Sequence, residues 1–162
     1  MNRDRIKIGL DFHGVVSSRP QYFAKFSELV LSLGYELHII TGGPADVVAK
    51  MLKEWQVRYT NLFAILDYYD ARGEVEYFDN GEFKVPEKLW NAAKGEYCMA
   101  KGINLHIDDS IQYARWFMTP YCIYDKETQV CKTDGNFAID FSGDPEVAVK
   151  QIQKIVNSYQ YF

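Results

Sequence analysis

Short apolar runs that end in polar or glycine residues alternate along this chain with amphipathic stretches, and that alternation restricts the fold more than any other feature. Residues 6–12 (IKIGLDF), 35–43 (YELHIITGG), 62–69 (LFAILDYY), 103–110 (INLHIDDS) and 120–125 (PYCIYD) read as strands too apolar to leave either face in water. Between them, Tyr22, Phe23, Phe26, Leu29, Val30 and Leu33 recur at helical spacing after Pro20 and stop at Gly34. Pro44 opens a second such stretch with Val47, Val48, Met51, Leu52 and Trp55, and residues 144–159 form a last one behind Pro145. Strands of this kind alternating with helices predict a mainly parallel sheet with helices on both faces, an α/β fold of three layers. Two departures are expected. Asn80-Gly81, between short alternating segments, predicts a two-residue hairpin turn within a small β-insertion at 70–85, and residues 133–141 predict a second hairpin. Residues 86–100 read as a helix with a break near Lys94-Gly95.

With 162 residues, 48% of them hydrophobic, the chain has material for one core, and the expectation is a single domain over 1–162. A formal charge of −4, with no basic run, argues against general binding to nucleic-acid backbone. No stretch approaches the length of a membrane span, so no membrane is expected. Cys98, Cys122 and Cys131 have no CxxC spacing and no histidine placed to complete a zinc site; they read as reduced thiols, and the location expected is cytoplasmic.

In a parallel sheet, ligands bind beyond the carboxyl ends of the strands, near the point where strand order reverses. The polar outliers fall there: Asp11 after the first strand, Thr41-Gly42-Gly43 after the second, and Asp108-Asp109-Ser110 after the fourth. Carboxylates gathered at one edge repel one another, and a hard cation with oxygen ligands, Mg²⁺ above all, is the economical way to keep them ionised. Such a pocket also favours an anion at the glycine loop, where a helix begins. His38 and His106, flanked by aliphatic residues in strand patterns, read as packed, hydrogen-bonded histidines outside the site. Tyr68, Tyr69, Tyr77 and Phe78 near the insertion read first as packing, with a substrate wall or dimer contact as the other reading.

"GLDFHGVV", "IITGG", a lysine in "KGEYCMAKG" and "LHIDDS", in that order and each at a strand or helix end, resemble the four motifs of the haloacid dehalogenase-like (HAD) superfamily of phosphohydrolases. The resemblance spans the chain from the first strand to about Ser110. It implies a Rossmann-like sheet of order 3-2-1-4-5 and hydrolysis of a phosphomonoester with Mg²⁺. Asp11 matches the nucleophile that forms an aspartyl-phosphate and also binds the metal. Thr41, with Gly42 beside it, matches the motif that holds the transferring phosphoryl group, and Lys94 matches the lysine that neutralises nucleophile and phosphate, with Lys101 as the competing choice. Asp108 and Asp109 match the acidic pair of the metal shell, Asp109 being the choice for direct ligand, and the backbone carbonyl of His13 matches a further ligand.

His13 stands where the family's Asp-x-Asp-Gly motif carries its second aspartate, the residue that protonates the leaving oxygen and then activates water. Imidazole, with an ordinary pKa of roughly 6.5, suits that work near neutrality. The alternative is a catalytically impaired protein that binds phosphate or Mg²⁺ as a partner or regulatory subunit. Families of this fold differ mainly in their caps, and the hairpin at 70–85 leaves room only for a minimal one. An open site implies a large substrate, a partner subunit closing the pocket, as in a homo-oligomer, or a small substrate held loosely. A nucleotide or other small phosphomonoester is the least committed expectation, by analogy of fold.

Overall fold

Strand β1 (Lys7–Leu10) lies at the centre of the molecule because both of its faces find apolar partners: Ile8 and Leu10 join the larger core cluster, and Gly9 faces the other way. The computed structural model describes residues 5–159, so the ends of the expected single domain, 1–4 and 160–162, lie outside the described residues. A short 3₁₀ turn (Val16–Ser18) leads to α1 (Pro20–Ser32), which begins on its proline and buries Tyr22, Phe23, Phe26 and Val30. Then follow β2 (Glu36–Thr41), α2 (Ala45–Glu54) and β3 (Asn61–Ala64).

The third apolar run is not one strand over 62–69: β3 ends at Ala64 and Ile65 starts α3 (Ile65–Asp70). The turn is fixed from outside the segment, because Leu66 N donates to the Gly42 carbonyl at 3.0 Å and Asp67 Oδ1 accepts from Ala45 N at 2.8 Å. Asp67 thereby caps the first turn of α2.

The insertion is a hairpin of β4 (Glu76–Tyr77) and β5 (Phe83–Lys84). Its loop is longer than the two residues expected. Phe78 N donates to Glu82 O, Gly81 N donates to Phe78 O, and Gly81 takes a φ of +84°, the arrangement of a turn followed by a left-handed glycine bulge. The helix expected at 86–100 is α4 (Glu87–Lys101), unbroken at Lys94-Gly95. Gly95 serves packing instead: the Trp116 carbonyl lies where a Cβ would stand, which lets the 3₁₀ turn Ile111–Trp116 close on the helix.

Strand β6 (Leu105–Asp108) precedes that turn and β7 (Tyr121–Asp125) follows it. β8 (Val130–Thr133) and β9 (Ala138–Asp140) form the expected second hairpin and extend it into a meander with β7. Helix α5 (Pro145–Tyr159) closes the chain. The main sheet has order β3-β2-β1-β6-β7-β8-β9; its first five strands are parallel neighbours and the last two are antiparallel. Apolar residues of α1, α2 and α5 share one core with Leu37 and Ile39, whereas Ile40 packs with Cys98 of α4 on the opposite face. That is the three-layer α/β arrangement.

Cys122 of β7 and Cys131 of β8 stand side by side across the meander, with Cα atoms 5.6 Å apart, and Cys98 is buried in α4. No helix among the described residues is long and apolar enough to cross a membrane.

Candidate functional site

The parallel register Leu10↔Ile39 and Leu10↔Ile107 brings the ends of β1, β2 and β6 to one edge of the sheet. Asp11 is the first residue past β1, its amide still bonded to Ile107 O at 2.9 Å; Thr41 ends β2 and Asp108 ends β6. All three are buried.

Lys94 comes to them from α4. Its Nζ donates to Asp11 Oδ1 at 3.0 Å and to Asp108 Oδ2 at 2.9 Å, with the side chain almost entirely out of water. The other candidate lysine, Lys101, is exposed, and its carbonyl accepts from Lys7 Nζ. Burial works to lower the Lys94 pKa, but the two carboxylates outweigh it and hold the ammonium charged.

The two carboxylates are not equivalent. Asp108 Oδ2 also accepts from His106 Nε2 at 3.0 Å, and its Oδ1 accepts from Ser110 N at 3.1 Å. Burial works against its charge, yet His106 and Lys94 prevail, and its pKa falls below the ordinary carboxylate range. Asp11 has the Lys94 bond alone to offset its burial and the neighbouring Asp108 charge, so its pKa is pushed well up. Asp108 is a settled anion; Asp11 is one that a further positive charge would settle.

Asp109 is exposed, and its carboxylate lies directly over Gly14, in the space a Cβ there would need. Gly14 has a φ of +90°, so side chain and backbone both require glycine at this turn. Carboxylate oxygens of Asp11, Asp108 and Asp109 all lie within 4.8 Å of one another. Oxygens on opposite sides of an octahedral Mg²⁺ stand about 4.2 Å apart, so the cluster is of a size to close on that ion. Three carboxylates against one ammonium leave two negative charges, the complement of a divalent cation. With both oxygens of Asp108 already accepting hydrogen bonds, exposed Asp109 is the freer ligand.

Thr41 is buried, and its Oγ1 accepts from Gly43 N at 3.3 Å; Gly42 follows it, half-buried. The end of α2 expected to receive an anion is partly occupied, since Asp67 already accepts from Ala45 N. His13 is exposed at the turn after Asp11, its ring edge-on to Phe12 at 4.8 Å, and it takes no part in the buried hydrogen-bond set.

His106 is the packed, hydrogen-bonded histidine expected from its strand pattern, but the residue it bonds is Asp108 of the site, where the sequence reading placed it outside. It is fully buried, stacked on Phe117 at 4.9 Å, with Nδ1 against Gly9, where an added Cβ would come within 2.7 Å. Among the described residues Nδ1 meets no hydrogen-bond partner, and burial lowers the ring's pKa, with Asp108 opposing. The missed signal was spacing: in a strand, His106 and Asp108 share a face, and the register partner of His106 is a glycine.

A groove of about 860 Å³ between Arg19, Trp55 and Asp144 holds none of the candidate residues. No protein-family model matches the sequence, and no curated protein does. Among solved structures, a glycosyltransferase from Rickettsia africae ESF-5 is similar over 75% of this chain at 14% identity, with a TM-score of 0.43. This chain spans 31% of the length of that one.

Proposed function

We propose that the chain is a Mg²⁺-dependent phosphomonoester hydrolase of the HAD-like kind, working through Asp11. The observation that carries the reading is Lys94 Nζ held between Asp11 Oδ1 and Asp108 Oδ2 in a buried centre at the carboxyl ends of adjacent parallel strands. The order of strands outward from β1, with β2 and β3 on one side and β6 and β7 on the other, agrees with the 3-2-1-4-5 order that the resemblance implies. Asp11, Asp109, Asp108 and the His13 carbonyl are the residues that would hold Mg²⁺, whose contribution when bound is to shield the carboxylate from the incoming phosphate.

In the first half-reaction an Asp11 carboxylate oxygen forms a bond to phosphorus as the ester P–O bond breaks. The His13 imidazolium gives its proton to the departing alkoxide. Lys94 and Thr41 offset the charge on the phosphoryl oxygens. In the second, neutral His13 takes a proton from water, the water oxygen bonds to phosphorus, and Asp11 leaves with the electron pair of its P–O bond. Phosphate departs and the carboxylate is regenerated.

One observation favours the second reading, a phosphate- or Mg²⁺-binding protein without turnover: His13 is exposed, and among the described residues no hydrogen bond orients its ring for proton transfer. Hydrolysis of a generic aryl phosphate, with Mg²⁺ and with chelator, separates the two in the native protein, His13→Ala and His13→Asp. The phosphatase reading expects Mg²⁺-dependent turnover with a pH limb that disappears in His13→Ala. Silence in the native protein with activity appearing in His13→Asp would favour the binding protein.

A further inference from the structure

Aromatic residues of the hairpin, of α4 and of the 3₁₀ turn Ile111–Trp116 meet beside the site. Tyr77, Phe78 and Phe83 of the hairpin are all exposed, and Phe83 leans towards Trp90 of α4 with ring centroids 5.8 Å apart. Trp90 precedes Lys94 by one helical turn, so the two share a face of α4. The indole rests on the glycine loop: a Cβ on Gly42 would lie 3.0 Å from its ring. Its Nε1 donates to Tyr113 Oη at 3.3 Å, and the Lys94 ammonium stands 4.7 Å from the centre of the Tyr113 ring.

Contacts within the protein hold these positions. Gln112 Nε2 donates to Asn91 Oδ1 at 2.7 Å, and Gly95 receives the Trp116 carbonyl, which together pin the 3₁₀ turn carrying Tyr113 to α4. Because the indole N–H and the phenol oxygen bond each other, what the half-buried rings offer a ligand is their faces. Ring faces recognise flat rings by stacking.

We propose that Trp90, Tyr113 and Phe83 form the subsite for the leaving group, and that the substrate is a phosphomonoester carrying a planar ring. The proposal rests on the phosphohydrolase reading for the placement of the phosphate: an anion on Lys94, Thr41 and Gly42 has Tyr113 and Trp90 as its next neighbours outward. The hairpin then contributes one side of the shelf through Phe83, which gives a minimal cap a role in selection.

Equilibrium binding tests this without turnover. Calorimetric titration with Mg²⁺ compares phenylphosphonate with propylphosphonate on the native protein, Trp90→Leu and Tyr113→Leu. A second pair, adenosine monophosphate against ribose phosphate on Asp11→Asn, distinguishes a ring borne on a sugar from one next to the phosphate. At least one pair should show a preference for the ring compound of about tenfold, which collapses in a Trp90→Leu or Tyr113→Leu background while affinity for the ringless partner is kept. That retained affinity also reports that the variants are folded. Equal affinities within both pairs, no binding of any of the four, or a preference that survives both substitutions would overturn the proposal. If the ring preference holds and the native protein hydrolyses nothing, the shelf stands and the phosphohydrolase reading falls.

Discussion

The buried half of the site and its exposed rim are built in opposite ways. Asp108 spends both oxygens on His106, Lys94 and Ser110, and each of those partners is fixed by a strand, a helix or a turn. Asp109, the residue after Asp108, and His13, two residues after Asp11, are exposed in the loops that follow β6 and β1. The difference teaches where each kind of work is done. The core fixes the charges of Asp108 and Lys94 in position, and the two groups that the proposed reaction would have exchange protons or ligands are the ones that water reaches.

Breaking the buried half should give the largest effect. Lys94→Met leaves two buried carboxylates without their shared ammonium, and removal of one partner from a buried ion pair costs roughly 3–5 kcal/mol. Denaturant unfolding should register that loss, and added Mg²⁺ should recover part of it, because the cation replaces the missing positive charge. A loss below about 1 kcal/mol, the range of exposed ion pairs, would mean the centre is wetter than its burial indicates.

The second comparison concerns protons. Burial holds the Asp11 pKa up, and Mg²⁺ binds the ionised carboxylate, so binding must displace whatever proton Asp11 carries. Apparent Mg²⁺ affinity should therefore rise as pH rises through the elevated Asp11 pKa and level off above it. Titrations over a pH series would show this slope in the native protein and a flatter one in Asp11→Asn. The smallest effect belongs to the rim: His13→Ala should change unfolding free energy by no more than about 0.5 kcal/mol, as for most surface substitutions, while abolishing turnover if the proposed proton transfer runs through His13.

Much of this arrangement was legible in the residues, and the failures have physical causes. The first two strands and their helices follow apolar period and proline position, which act locally, and α1 begins on Pro20 as expected. The run at 62–69 is equally apolar, yet it bends into α3 because Gly42 O and Ala45 N supply distant hydrogen-bond partners. Gly95 read as a helix break, but what it accommodates is the Trp116 carbonyl, contributed by a segment about twenty residues later. Of β8 only Thr133 falls within the hairpin expected at 133–141, because the strand's other residues pair with β7 and β9, contacts that local pattern does not specify. In the site, the positions of Asp11, Thr41 and Asp108 follow from strand ends. The bond from His106 to Asp108 needed the two-residue period of a strand to be applied to a polar pair, and the aromatic shelf needed α4 and the 3₁₀ turn in contact.

The central claim is that the Asp11 carboxylate attacks phosphorus. The most direct measurement is acid quench of the native protein during exposure to a phosphomonoester and Mg²⁺, followed by mass spectrometry of the peptide that contains Asp11. The account predicts a phosphoryl group on Asp11 that is absent with chelator and absent in Asp11→Asn. Turnover that persists in Asp11→Asn, or that proceeds with no phosphoryl group ever found on Asp11, would contradict it.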